Sequence, residues 1–111
     1  MYASLTRVTA KPGQADAVVT AWRTARQEYQ PVEALAGLRH TYVLVDRAGG
    51  EVVIVGLWDT EAAARAYETS AEAERVRRGL GPLVDAAALA DRRLYEVAEV
   101  REVRELSLIH I

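Results

Sequence analysis

Residues 52–69 read VVIVGLWDTEAAARAYET. From Val52 to Trp58 the chain is a short run of β-branched and apolar residues of strand length, and after Asp59 it turns at once alanine-rich and charged. Thr60 stands where a helix N-cap belongs, and Glu61 puts negative charge in the first turn. The alanines that follow have the highest helix propensity of any residue. Trp58 therefore sits at a strand-to-helix corner, either packing a large apolar surface there or offering its indole to an aromatic ligand.

Reading outward, Leu38 to Asp46 (LRHTYVLVD) and Glu51 to Trp58 (EVVIVGLW) are both strand-like, and Arg-Ala-Gly-Gly between them is a hairpin loop by composition. Residues 2–10 (YASLTRVTA) fit a first strand stopped by Lys11-Pro12-Gly13. Ala15, Val18, Val19, Trp22, Ala25 and Tyr29 then recur with helical spacing, with Asp16 early and Arg23 and Arg26 late, until Pro31 ends or kinks the helix. The stretch 31–36 leaves room for one further turn before Gly37.

Ser70 can cap a second helical piece over 71–78, which carries Glu72 and Glu74 early and Arg75, Arg77 and Arg78 late, and Gly79, Gly81 and Pro82 close it. Residues 83–90 fit a short helix or a packed loop, and the periodicity of residues 94–103 leaves strand and helix open; a strand is expected over 93–99. The order strand, helix, strand, strand, helices, strand is the ferredoxin-like split βαβ arrangement: an α+β fold with a four-stranded antiparallel sheet and its helices on one face. The other face, bearing apolar residues, needs a partner, and sheet-to-sheet homodimerisation is the usual remedy. A cavity can then form between the two sheets.

The 111 residues suit one domain that buries about two-thirds of its unfolded surface. The absence of cysteine excludes a disulfide scaffold, a thiolate metal site and a cysteine nucleophile. Fourteen basic and sixteen acidic residues are interspersed, which argues against nucleic acid as a partner. With no signal-like N-terminus and no long apolar run, the expectation is a cytoplasmic protein that avoids membranes. No phosphate loop, His-x-x-x-His pair, Gly-x-Ser-x-Gly or dinucleotide fingerprint occurs. The last six residues, LSLIHI (106–111), match the in-frame translation of a transposon adapter end, with a genuine apolar strand as the alternative. On that reading they are a scar, His110 is set aside, and the native chain continues past about Glu105.

The stretches VTAKPGQADAVVTAWR (8–23) and VVIVGLWDTEAAARAYETSAEAERV (52–76) resemble the first strand, Lys-Pro-Gly turn and helix, and then the apolar strand, Trp-Asp/Glu corner and helices, of the antibiotic biosynthesis monooxygenase family. The resemblance covers about residues 2–100 and implies a single domain over 1–103 that forms a dimeric α+β barrel. It also implies oxidation of a small electron-rich aromatic, of quinol or anthrone type, with molecular oxygen and no flavin, haem or metal. Haem-degrading relatives carry an Asn on the first strand, an aromatic on the helix after the corner and an iron-ligating His beyond it. Thr6, Tyr67 and Arg77 stand at those positions here, so the Asn and the His are missing and no cofactor is expected.

For such chemistry the protein must supply a base, a dry pocket and orientation. His40 is the candidate base, since a neutral imidazole suits removal of a phenolic or anthrone proton. Strand alternation groups His40 and Tyr42 with Leu38 and Leu44 on one face and points Arg39 the other way. Trp58, Tyr42, Arg39, Tyr67 and Thr6 are the candidate substrate-binding residues, while each of His40, Trp58 and Tyr67 also has a purely structural reading. The Arg75, Arg77 and Arg78 group, with Glu72 and Glu74, reads as a solvated helix face. The alternative function is a non-catalytic dimeric barrel that binds a small hydrophobic ligand.

Overall fold

The computed structural model of the protein describes residues 1–29, 37–85 and 92–103, with backbone alone for Glu28 and Tyr29. The turn at 31–36, the segment 86–90 and the adapter-like end 106–111 lie outside these residues. In chain order the elements are β1 (Tyr2–Thr9), α1 (Ala15–Tyr29), β2 (Leu38–Asp46), β3 (Glu51–Trp58), α2 (Glu61–Glu68), α3 (Ala71–Leu80), a 3₁₀ turn (Gly81–Leu83) and β4 (Arg92–Glu96). The strands lie in the order β2-β3-β1-β4 and every neighbouring pair is antiparallel. This is the ferredoxin-like α+β arrangement expected from the order of the elements.

Local chemistry accounts for the elements. Thr60 accepts from the Ala63 amide at 3.1 Å and Ser70 from the Ala73 amide at 3.1 Å, so α2 and α3 each begin on a side-chain cap. In the β2–β3 loop the Asp46 carboxylate accepts from the Gly49 amide at 3.0 Å, and Gly50 takes φ +71°, a left-handed value that favours glycine. Helix α3 runs through Gly79 to Leu80 instead of stopping at 78, because Val76 and Leu80, one turn apart, are both buried in the core.

The core between sheet and helices is small and aliphatic. Val8 and Val52 from the central strands meet Val18 and Ala25 of α1 and Val76 and Leu80 of α3, with Val84 completing the cluster. On that same face lie Ser4, Thr6, Ile54, Gly56 and Trp58. Ala3, Leu5, Val53, Val55, Leu57, Tyr42, Leu44 and Tyr95 alternate to the opposite face, which no helix covers among the described residues. Tyr42, Leu44 and Tyr95 are each about half exposed there.

Two details differ from simple alternation. Leu38 pairs with Trp58 and His40 with Leu57, so Arg39 is an extra residue in the ladder, a bulge. The bulge separates Leu38 from His40, Tyr42 and Leu44: Leu38 faces the helices with Thr41, and the other three face outward. Strand β4 ends at Glu96 and not at 99, because its partner β1 runs out: Glu96 pairs with Tyr2, and the Val97 amide donates to Met1 O at 2.9 Å. Past that point there is no β1 residue left to pair with.

Candidate functional site

One cavity built by a single chain lies between the sheet and its helices, on the side away from the open face, with a volume of about 190 Å³. Ser4, Thr6 and Val8 of β1, Ile54, Gly56 and Trp58 of β3, and Leu38 and Thr41 of β2 make its floor. Trp22 and Arg26 of α1, Tyr67 and Glu68 of α2, and Val76, Arg77 and Leu80 of α3 make its roof, and Arg92 of β4 closes one edge.

Trp58 is 3% exposed, and its indole N–H donates to Ser4 Oγ at 3.0 Å across the β1–β3 pair. A buried indole without that acceptor would carry an unsatisfied donor, so Ser4, the buried polar residue of the core, is its complement. Gly56 leaves the room: a Cβ there would lie 2.8 Å from Ser4 Oγ and 2.9 Å from Trp58 Nε1. With Thr60 starting α2, Ala64, Tyr67 and Glu68 share the helix face toward the sheet. The Tyr67 and Trp58 rings come to 5.4 Å between centroids at a tilt of 38°.

The polar wall is made of arginines. Arg92, with 13% of its side chain exposed, donates Nη1–H to Glu68 Oε2 at 3.0 Å and Nη2–H to Ala64 O at 3.2 Å, tying β4 to α2. Arg77 donates to Glu68 O at 3.3 and 3.4 Å, at the C-terminal end of α2, and to the Glu74 carboxylate at 3.3 Å. Arg26 lies over the Trp22 ring at 4.9 Å, a cation–π contact worth about 0.5–2 kcal/mol depending on desolvation. Burial pulls the Arg26 guanidinium below its ordinary value, opposed by the Tyr67 phenol. Burial does the same to Arg92, opposed by Glu68 and Tyr67. Both remain cations at neutral pH, so among the described residues the cavity presents three guanidiniums and one carboxylate to a ligand.

Thr6, Trp58 and Tyr67 thus come together on the cavity wall, and Arg77, read as part of a solvated face, joins them. Arg78 does stay outside, pairing with Glu74 at 3.5 Å. His40 and Tyr42 lie on the opposite face, both exposed, their rings stacked at 6.3 Å and 28°, so the sheet stands between them and the cavity. Arg39 lies at the corner beside Trp58, where its Nε–H donates to Asp59 Oδ1 at 2.6 Å. That bond holds the Asp59 carboxyl below the usual carboxylate range and raises Arg39.

Ser4, Trp22, Arg26 and Arg92 were not among the sequence-derived candidates. Trp22 and Arg26 had a legible signal, their i, i+4 spacing on α1, whereas Arg92 reaches the cavity through its pairing with Thr6, a long-range register. Among the described residues no group of three or more His, Asp or Glu is placed to hold a metal ion. No helix among them is long and apolar enough to cross a membrane.

Residues 1–79 match the family described as antibiotic biosynthesis monooxygenase. Similar solved structures include a candidate antibiotic biosynthesis monooxygenase from Chloroflexus aurantiacus J-10-fl, at 18% identity and TM-score 0.66 over 93% of this chain and 98% of that one. A second candidate of the same description, from Deinococcus radiodurans, is 19% identical with TM-score 0.67 over 94% and 99%. A Nitrosomonas europaea protein of unknown function is 17% identical with TM-score 0.71 over 93% and 94%. These likenesses show a shared fold. No curated protein matches the sequence.

Proposed function

The chain belongs to the antibiotic biosynthesis monooxygenase family, and from that premise we propose that its sheet–helix cavity binds a small electron-rich aromatic and oxidises it with molecular oxygen without a bound cofactor. The observation that carries this reading is the pairing of aromatic walls, Trp22, Trp58 and Tyr67, with a cationic one in the same cavity. An apolar cavity of about 150 Å³ accepts benzene, so about 190 Å³ suits one substituted ring, a quinol rather than a three-ring anthrone. Thr6, Trp58 and Tyr67 contact the ring.

The cavity's chemical contribution is electrostatic. A phenol beside buried guanidiniums ionises more readily, because opposite charge in a water-poor site favours the phenolate. The phenolate gives one electron to oxygen, the resulting radical pair joins at a ring carbon that bears hydrogen, the peroxide takes up the proton that the phenol released, and loss of water leaves a carbonyl: one oxygen atom enters the product and the other departs in water. His40 takes no part in this step, since the sheet separates it from the ligand; with Tyr42 it belongs to the open face, which we propose is covered by a second copy of the chain.

Oxygen uptake tests the reading. With hydroquinone as substrate, the wild type should consume oxygen above the rate of Trp58→Ala, and Tyr67→Phe should fall between them, while His40→Ala should match the wild type. Rates for the wild type no higher than for Trp58→Ala would leave binding without turnover as the function of the cavity and end the enzyme reading for this substrate class.

A further inference from the structure

Among the described charged side chains that line the cavity, Glu68 holds the one carboxylate, and it is already engaged: Arg92 donates to its Oε2 and Arg77 to its main-chain oxygen. Arg26 is left over. Its guanidinium is half-buried against the face of Trp22, and among the described residues no carboxylate forms an ion pair with it. A guanidinium removed from water calls for an anion or a set of acceptors, and an aromatic face supplies only part of that compensation. Tyr67 lines the same cavity as Arg26 and Arg92. The Trp58 indole has its N–H turned to Ser4 and its ring against Tyr67, so the two rings together form one aromatic wall of the cavity.

We propose that Arg26 is the anion-binding residue of this cavity and that the ligand is a small aromatic acid. Its ring lies against Trp58 and Tyr67, and its carboxylate receives the two parallel N–H bonds of the Arg26 fork. The proposal rests on the aromatic-binding reading above and makes it more specific: an acid should be preferred over a neutral ring of the same shape.

Calorimetric titration of the full chain at neutral pH with 4-hydroxybenzoate and with its neutral isostere 4-hydroxybenzamide tests this directly. The acid should bind about tenfold or more tighter than the amide, as a charge-assisted bidentate pair would give. The preference should vanish in Arg26→Met, survive in part in Arg26→Lys, and weaken with added salt. In the wild type, the Arg26 Nε–H resonance should shift on adding the acid and stay in place with the amide, a readout that does not depend on a variant folding. Equal affinity for the two ligands, an undiminished preference in a folded Arg26→Met, or an unmoved Arg26 resonance with bound acid overturns the proposal while leaving an aromatic site intact. If neither ligand binds, both readings fall.

Discussion

Trp58 shows how one residue is held by a handful of others. Its N–H has an acceptor in Ser4, its ring a neighbour in Tyr67, and its space a guarantor in Gly56. Ser4→Ala should lower stability by about 1–3 kcal/mol in urea denaturation, because the buried indole donor is left without a partner. Gly56→Ala should cost a similar about 1–3 kcal/mol, since the added methyl meets both members of that hydrogen bond and one must move. A second residue-scale prediction concerns Asp59. Its folded pKa is depressed, chiefly by the hydrogen bond from Arg39, so the pair contributes above the ordinary Asp value of about 3.8 and that contribution is lost as the pH falls through the folded value. The Asp59 carboxyl should titrate below its ordinary range by NMR, and Arg39→Ala should return it there. Both groups are exposed, so the melting temperature at pH 7 should barely change in that variant.

At the scale of elements, what could be read from the sequence was whatever depends on near neighbours. The period change at Trp58, the Thr60 and Ser70 caps, and the 15-residue amphipathic α1 are set by residues within a turn or two of each other. Thr60→Ala and Ser70→Ala should therefore each cost about 1 kcal/mol, seen as lower urea midpoints, and Ser70→Ala also removes a donor to Tyr67 O. The features that escaped are non-local. Strand β4 ends where β1 ends, which no pattern within residues 94–103 reveals. The bulge at Arg39 sends Leu38 to the cavity and His40 to the open face, so a single unpaired residue decided which candidates share a site. Arg92, drawn in by its pairing with Thr6, was invisible for the same reason.

For the whole molecule, the two faces of one sheet differ in what covers them. The helix-covered face holds the cavity, and the open face presents Tyr42, Leu44 and Tyr95, each about half exposed, beside Leu5, Val53, Val55 and Leu57. Apolar residues from all four strands share this face with Arg7, Arg93 and His40, and a second copy related by a two-fold axis would cover them with the same residues. Leu44→Asp places a charge on that face, on the edge strand β2, without touching the core, since Leu44 is 53% exposed in the single chain. By sedimentation the wild type should have the mass of two chains and Leu44→Asp that of one, with an unchanged far-ultraviolet circular dichroism spectrum. Because the described lining residues all come from one chain, the monomeric variant should still bind 4-hydroxybenzoate within about threefold of the wild type if the aromatic-acid proposal holds. Loss of binding on dissociation would show that the second copy braces the sheet floor under Trp58, linking the two faces. A wild type that sediments as a single chain would mean that something other than a second copy covers the open face.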